Sequence, residues 1–111
     1  MTFFSPSYEI AREKFLRASV EANALVQTTD LFGDLVVDVA VLGEPCKPTL
    51  VVTSGLHGVE GFFGSAVQLS LLDRFQQSDC LHDIRLVLVH GLNPFGFKPV
   101  SYTHLTLPTK A

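Results

Sequence analysis

The chain has 111 residues, 47% of them hydrophobic, and its 8 basic and 11 acidic side chains give a net charge of −3. This apolar fraction excludes a disordered chain, and the length suits one small domain or part of a larger one. The mild charge gives no reason to expect a nucleic-acid or membrane partner, and no apolar run approaches the roughly 20 residues of a membrane helix. Because the amino terminus shows no secretory signal, we expect a cytoplasmic protein with reduced thiols at Cys46 and Cys80.

The first two predicted elements are a helix and a strand. The helix begins at Ser5-Pro6, with Ser5 as N-cap and Pro6 in the first helical position, and its apolar period continues to Ala22. The strand covers Leu35–Leu42, whose alternation places four apolar residues on one face: Leu35, Val37, Val39 and Val41. Because Asp38 lies on the other face, we expect this strand near a sheet edge.

A strand–helix–strand unit follows. The runs Thr49–Ser54 and Ile84–Val89 are mostly apolar, as is typical of strands that are buried on both faces. Between them, residues 62–75 predict a helix whose sheet-facing side chains recur every four residues: Phe63, Val67, Leu71 and Phe75. Such a connection is most simply right-handed and makes the two strands parallel. The order of elements predicts an α/β fold.

The candidate site is the loop after the first of these strands, which contains His57 and Glu60. The carboxyl ends of strands and the loops after them form the usual ligand site of an α/β sheet. The i, i+3 spacing places both side chains on one side of a helical turn, and imidazole and carboxylate are both zinc ligands. The flanking Gly55, Gly58 and Gly61 are expected to leave room for metal and substrate. Spacing alone equally fits an ordinary surface pair.

Several other polar residues have structural interpretations. His90 ends a buried strand at the same sheet edge, and we interpret it as a hydrogen-bonded histidine, either in the core or behind the metal ligands, rather than as a ligand itself. His82 is predicted to be a solvated loop residue, and Asn93 to brace the turn before Pro94. Ser65 lacks the Gly-x-Ser-x-Gly elbow of a serine hydrolase, which disfavours that class.

Three segments resemble a known family. The segment from Ser54 to Gln68 is similar to the signature of an uncharacterised, mostly bacterial branch of the carboxypeptidase A-like zinc peptidases. The segment from Phe4 to Tyr8 is similar to the opening of that branch. The run Asn93-Pro94-Phe95-Gly96-Phe97 resembles the superfamily's Asn-Pro-x-Gly-aromatic motif, with Phe95 where an acidic residue is common.

The resemblance implies a fold and a metal. The fold is a three-layer α/β/α sandwich with a mixed, mainly parallel sheet, of which residues 1–99 would form the amino-terminal part, truncated before its end. The metal is Zn²⁺, with His57 and Glu60 as its first two ligands. A third histidine ligand, the arginines for the substrate carboxylate and the general-base glutamate would all follow Pro99.

The function implied by the resemblance is a zinc-dependent hydrolase of the carboxypeptidase or deacylase type. Its substrate would be a small peptide or an acyl-amino acid, cleaved at an amide bond next to a free carboxylate. The alternative is a catalytically silent α/β binding module in which the glycine-rich loop is only a structural turn. The residues leave the oligomeric state open.

The last twelve residues are predicted to have a different origin from the rest of the chain. The run from Val100 to Thr109 can be back-translated as GTC TCT TAT ACA CAT CTG ACG CTG CCG ACG, which resembles the transposase-derived adapter of DNA sequencing libraries. We therefore expect residues 100–111 to be an adapter-derived tail that is not native, rather than a genuine polar tail. Residues 1–99 would be the amino-terminal part of a zinc-peptidase-like catalytic domain. Without a third ligand and a base, this fragment is expected to be inactive.

Overall fold

The computed structural model describes residues 2–33, 35–57, 60–77 and 83–97. In chain order they form helix α1 (Tyr8–Glu21), strands β1 (Leu25–Phe32), β2 (Leu35–Leu42) and β3 (Thr49–Thr53), helix α2 (Glu60–Gln77) and strand β4 (Arg85–His90). A helical turn over residues 94–97 follows β4. The predicted α/β class is confirmed. Within the described ranges, neither helix combines the length and the apolar character needed to cross a bilayer.

The four strands form one open, mixed sheet in the order β1-β2-β4-β3. β3 and β4 are parallel, with Val51 opposite Val87, so the predicted parallel strand–helix–strand unit is confirmed. β2 is antiparallel to both β1 and β4. Among the described strands the sheet is therefore mixed, as expected, but only one of its three pairings is parallel.

β1 was not predicted, and its presence moves β2 away from the sheet edge. The strand is exposed along its whole length and its polar residues do not alternate, so it lacks the periodicity of a half-buried strand. Its stability comes instead from antiparallel pairing with β2, and Gly33, with φ +61°, lies at the connecting turn. β2 is therefore the second strand of the described sheet, next to the edge strand β1 rather than at the edge itself.

Asp38 on β2 is fully buried because it has charged and polar partners. The Arg12 guanidinium donates to its carboxylate from Nε at 2.7 Å and from Nη2 at 3.1 Å. The Thr28 hydroxyl of β1 donates to Oδ1 at 2.5 Å. The hydrogen bond to Asp38 raises the pKa of Arg12 above its ordinary value. A carboxylate in the centre of the sheet is tolerated because these donors replace water.

Helix α1 begins two residues later than predicted. Ser7, not Ser5, is the N-cap, and its hydroxyl accepts a hydrogen bond from the Ile10 N–H. This start places Tyr8 and Ala11 in the core, where both are buried.

The main core lies on one face of the sheet, beneath both helices. Its buried members come from α1, β2, α2 and β4: Phe15, Ala18, Ala40, Leu42, Leu69, Leu72, Leu86 and Leu88. The predicted inner face of α2 is confirmed only in the second half of the helix, where Leu71 and Phe75 pack against this core. In the first half it is wrong, because Phe63 is 63% exposed and Val67 is also exposed. Small and polar residues face the sheet there instead. A Cβ on Gly64 would lie 2.9 Å from the Ser54 Cβ, so a larger residue there would push the helix away.

The second face of the sheet is apolar but only partly covered. The residues between the core positions of β2 and β4 are half-buried valines: Val37, Val39, Val41, Val87 and Val89. On β3, Leu50 and Val51 are exposed, so the expectation that this strand is buried on both faces is wrong for the described part of the protein. Both described helices pack on the face of the sheet that carries the main core. A helix layer on the second face, and with it the three-layer sandwich, stays a prediction.

Candidate functional site

The candidate site lies where β3 ends and α2 begins. Ser54 and Gly55 are buried, and the chain then reaches the surface at His57, which is 79% exposed. Glu60 is the first residue of α2 and is 51% exposed, and a carboxylate at a helix N-terminus interacts favourably with the helix dipole. The two predicted ligands lie together, since His57 Nδ1 is 3.3 Å from Glu60 Oε2.

The separation of these two atoms fits a shared ion. Ligand atoms that bind one tetrahedral zinc at about 2.0–2.1 Å lie roughly 3.3 Å from each other. The same separation also fits a weak ion pair. Within the described residues, no group of three His, Cys, Asp or Glu side chains could hold a metal. The described part of the site therefore offers two protein ligands.

Gln68, which was not among the predicted site residues, bonds to both strands that lead into the site. Its side-chain amide donates to the carbonyl of Val52 on β3 at 2.9 Å and to that of Val89 on β4 at 3.0 Å. Its Oε1 accepts the Ser54 hydroxyl at 3.0 Å. A glutamine inside an otherwise apolar helical run was the available signal, because such a residue needs buried partners.

The glycines of the loop have a packing role that the sequence analysis did not predict. Gly55 adopts φ +73°, and a Cβ there would lie 3.0 Å from the ring of Phe97. A Cβ on Gly61 would lie 2.9 Å from the same ring. The expectation that they leave room for metal and substrate is therefore wrong for Gly55 and Gly61, because Phe97 fills this space. Gly58 lies outside the described residues.

Asn93 contacts the site loop itself. Its side-chain amide donates to the carbonyl of Leu56 at 3.0 Å. Its backbone carbonyl accepts the N–H groups of Gly96 and Phe97, which closes the turn after Pro94. The prediction that the Asn93 side chain bonds nearby backbone is therefore wrong, because this side chain reaches a segment 37 residues away in sequence and the local bonds come from the backbone.

His90 is a core residue, which agrees with one of its two interpretations, but its Nδ1 has no hydrogen-bond partner among the described residues. It is fully buried, its ring stacks on Phe15 with centroids 4.6 Å apart, and its Nε2 lies 2.9 Å from the Ser65 hydroxyl. Burial lowers the pKa of His90 to about 4, the Asp38 carboxylate opposes this shift, and Arg12 adds to it. His90 is therefore neutral at pH 7. Because Ser65 is also buried, this Ser–His pair cannot reach a substrate.

The sequence match identifies the family. Residues 4–104 match the family described as "Protein of unknown function (DUF2817)". The chain belongs to the DUF2817 family. No curated protein and no solved structure matches the chain.

The DUF2817 match includes both segments that build the site, the loop after β3 and the turn after β4. Cys46 of this DUF2817 chain is exposed and forms no disulfide with the described residues, and its expected reduced state stays a prediction. Three sequence predictions concern Cys80, His82 and the tail of residues 100–111, which lie outside the described residues.

Proposed function

We propose that this DUF2817 chain provides two zinc ligands, His57 and Glu60, to a zinc-dependent hydrolase of the carboxypeptidase or deacylase type. The observation that carries the proposal is the 3.3 Å approach of an imidazole nitrogen to a carboxylate oxygen at the carboxyl end of a parallel strand. Both side chains are exposed there, so an ion held by them is open to substrate. This edge of an α/β sheet is where ligands usually bind.

The donor set fits the chemistry of a catalytic zinc site. Two His and one Glu, with a fourth position open to water, form a known catalytic set, and this pair would supply one of each. A zinc ion bound there supplies Lewis acidity toward an amide carbonyl and lowers the pKa of bound water to about 7. His57 and Glu60 would hold the ion and leave its remaining positions free. The third ligand, the base and the arginines for the substrate carboxylate are proposed to lie outside residues 1–99.

A second function is favoured by one observation. The buried ring of Phe97 packs on Gly55 and Gly61, so these glycines have a structural reason to be present without any metal. A catalytically silent α/β binding module with a structural turn would need no more than this. Metal binding decides between the two functions.

Zinc titration of the 111-residue chain tests the ligand assignment. We expect binding of roughly micromolar strength or weaker, because only two protein ligands are offered where catalytic zinc normally has three. His57→Ala and Glu60→Gln should each weaken this binding at least tenfold, as measured by competition with a chromophoric chelator. The control is Glu13→Gln, which alters an exposed carboxylate that pairs with Arg17 far from the site. Equal zinc affinity in wild type and both ligand variants would contradict the assignment.

Hydrolysis is tested with a dipeptide that has a free carboxylate and with its C-terminally blocked counterpart. The 111-residue chain is expected to cleave neither, because the proposed base lies outside residues 1–99 and its loss would remove a factor of roughly 10²–10⁴ in rate. A chain in which native residues replace 100–111 should cleave only the unblocked dipeptide, and a chelator should abolish this. Cleavage of neither substrate by that chain with zinc bound would favour the binding module.

A further inference from the structure

The pairing of β3 with β4 continues beyond both strands into the site. The Leu92 N–H donates to the carbonyl of Ser54 at 2.8 Å, and the Asn93 N–H donates to the carbonyl of Gly55 at 2.9 Å. The backbone that approaches His57 is therefore bonded to the residues that follow β4. These bonds extend the ordered pairing of the sheet to within two residues of the candidate ligand.

The Asn93 side chain donates the next hydrogen bond between these two segments, which the backbone of the following residue cannot donate. The next residue, Pro94, has no N–H to donate. The side-chain amide of Asn93 supplies a donor instead and bonds to the carbonyl of Leu56 at 3.0 Å. An aspartate at position 93 would have the same shape but no donor when ionised.

Gly96 lies directly against the backbone of His57. A Cβ on Gly96 would overlap the carbonyl oxygen of His57. The turn that carries Gly96 is itself closed by two N–H groups, those of Gly96 and Phe97, which donate to the carbonyl of Asn93 at 3.0 and 2.9 Å. A side chain on Gly96 would thus have to displace His57 or open the turn.

Phe97 packs the turn formed by residues 93–97 against the start of α2. Its ring is fully buried and lies close to Gly55 on one side of the candidate pair and to Gly61 on the other. Gly61 directly follows Glu60 in α2. The turn formed by residues 93–97 therefore contacts the backbone on both sides of His57 and Glu60.

We propose that Asn93 and Gly96 are positioning residues that hold His57 at the separation from Glu60 at which both side chains bind one ion. The inference rests on the proposed function, in which this pair ligates zinc. Asn93 and Gly96 act through the carbonyls of Leu56 and His57 and do not touch the metal. Residues that orient metal ligands typically change metal affinity 10–100-fold when they are mutated.

The test uses three variants of the 111-residue chain and two matched controls. Asn93→Ala and Asn93→Asp remove the amide donor, and Gly96→Ala adds the overlapping methyl group. Ser19→Ala is the control for Asn93, because it removes another hydrogen bond from a side chain to a backbone carbonyl, that of Phe15, within α1. Gly43→Ala is the control for Gly96, because its Cβ would meet the carbonyl oxygen of Ile84 at the opposite end of the sheet.

Two quantities are measured for each variant: zinc affinity and the rate of amide hydrogen exchange in residues 54–57 without metal. We expect all three site variants to bind zinc at least tenfold more weakly than wild type and to exchange faster in that segment. The two controls should lower the thermal midpoint while leaving zinc affinity within about twofold of wild type.

The outcomes separate this proposal from the proposed function. Unchanged exchange in the site variants would show that the 93–97 turn does not hold the loop, and the proposal would fail. Faster exchange with unchanged zinc affinity would also overturn it, since the turn would then be only structural. If affinity falls equally in the controls, general destabilisation explains the effect and the proposal fails. Wild type that binds no zinc would overturn the proposed function itself, whatever the exchange rates.

Discussion

At the scale of single residues, burial decides which polar side chains can react. His57 is largely exposed and lies beside a carboxylate, whereas His90 is fully buried among Phe15, Ser65 and other core groups. A buried imidazole without a charged partner in hydrogen-bond contact favours its neutral form, because its cation would lose hydration. The two histidines thus differ in which groups they can contact because their surroundings differ.

His90 should make stability depend on pH. Its pKa is about 4 in the folded state, against an ordinary value of 6.5, so between these pH values the unfolded chain binds a proton that the folded chain does not. The free energy of unfolding should therefore fall by about 3 kcal/mol as the pH drops from 6.5 to 4. Well above pH 6.5 and well below pH 4, His90 adds no further dependence of the free energy of unfolding on pH. Urea unfolding of wild type and His90→Gln across this range measures the effect.

His90→Gln should lose most of this dependence of stability on pH, because the glutamine can still bond to Ser65 but cannot titrate. Ser19→Ala is the control, because it removes a buried hydroxyl and should lower stability equally at every pH. The charged and titratable groups that face His90 from other elements are Asp38 on β2 and Arg12 and Tyr8 on α1. A slope in His90→Gln equal to that of wild type would show that another group is responsible.

At the scale of elements, α2 joins the two parallel strands through one side chain. Gln68 donates to carbonyls of both β3 and β4 and accepts from Ser54, the residue after β3. The helix approaches closely because small residues such as Gly64 and Ser65 face the sheet. This arrangement places the first residue of the helix, Glu60, beside the end of β3.

Replacing Gln68 by Met should lower the free energy of unfolding by about 2–4 kcal/mol. Met has a similar volume but no donor, so the Val52 carbonyl loses its side-chain partner at a cost of roughly 1–3 kcal/mol. The Val89 carbonyl and the Ser54 hydroxyl also lose a bond but cost less, because they still accept the N–H groups of Ser54 and Gly91. Chemical denaturation monitored by circular dichroism measures the change. The control is Gln76→Met on the exposed end of the same helix, expected to change stability by less than about 0.5 kcal/mol. A similarly small change for Gln68→Met would contradict this account of the helix–sheet contact.

At the scale of the whole molecule, the two faces of the sheet differ. One face is covered by α1 and α2, and the other presents half-buried and exposed valines. Strands that are apolar on both faces are typical of sheets with helices on both sides. The second face therefore agrees with the three-layer fold that the resemblance implies, although the described residues form only two layers.

Deleting residues 100–111 should change the free energy of unfolding by less than about 1 kcal/mol, because the sequence predicts an adapter-derived tail, which would not have been selected together with the core. Thermal unfolding of the chain with and without these residues measures this. A matched truncation after Gly96 also removes the fully buried Phe97 and should cost about 3–5 kcal/mol. A loss above about 1 kcal/mol on deletion of the tail alone would show that it belongs to the fold.

The sequence by itself determined the local features. The alternation of β2, the parallel unit around α2 and the adjacency of His57 and Glu60 were all predicted, because strand period and i, i+3 spacing act over a few residues. The family resemblance added the expected metal and the Asn-Pro-x-Gly-aromatic motif.

Only the tertiary structure decided the features that join distant segments. β1 has no amphipathic pattern and is ordered by pairing with β2, which in turn places Asp38 in the centre of the sheet. The inner face of α2 includes the polar residue Gln68 because this side chain finds partners on two strands, which the apolar periodicity of the helix does not predict. The contact of Asn93 with the site loop likewise depends on β3 and β4 being neighbours, since side-chain partners far apart in sequence are chosen by the packing of whole elements.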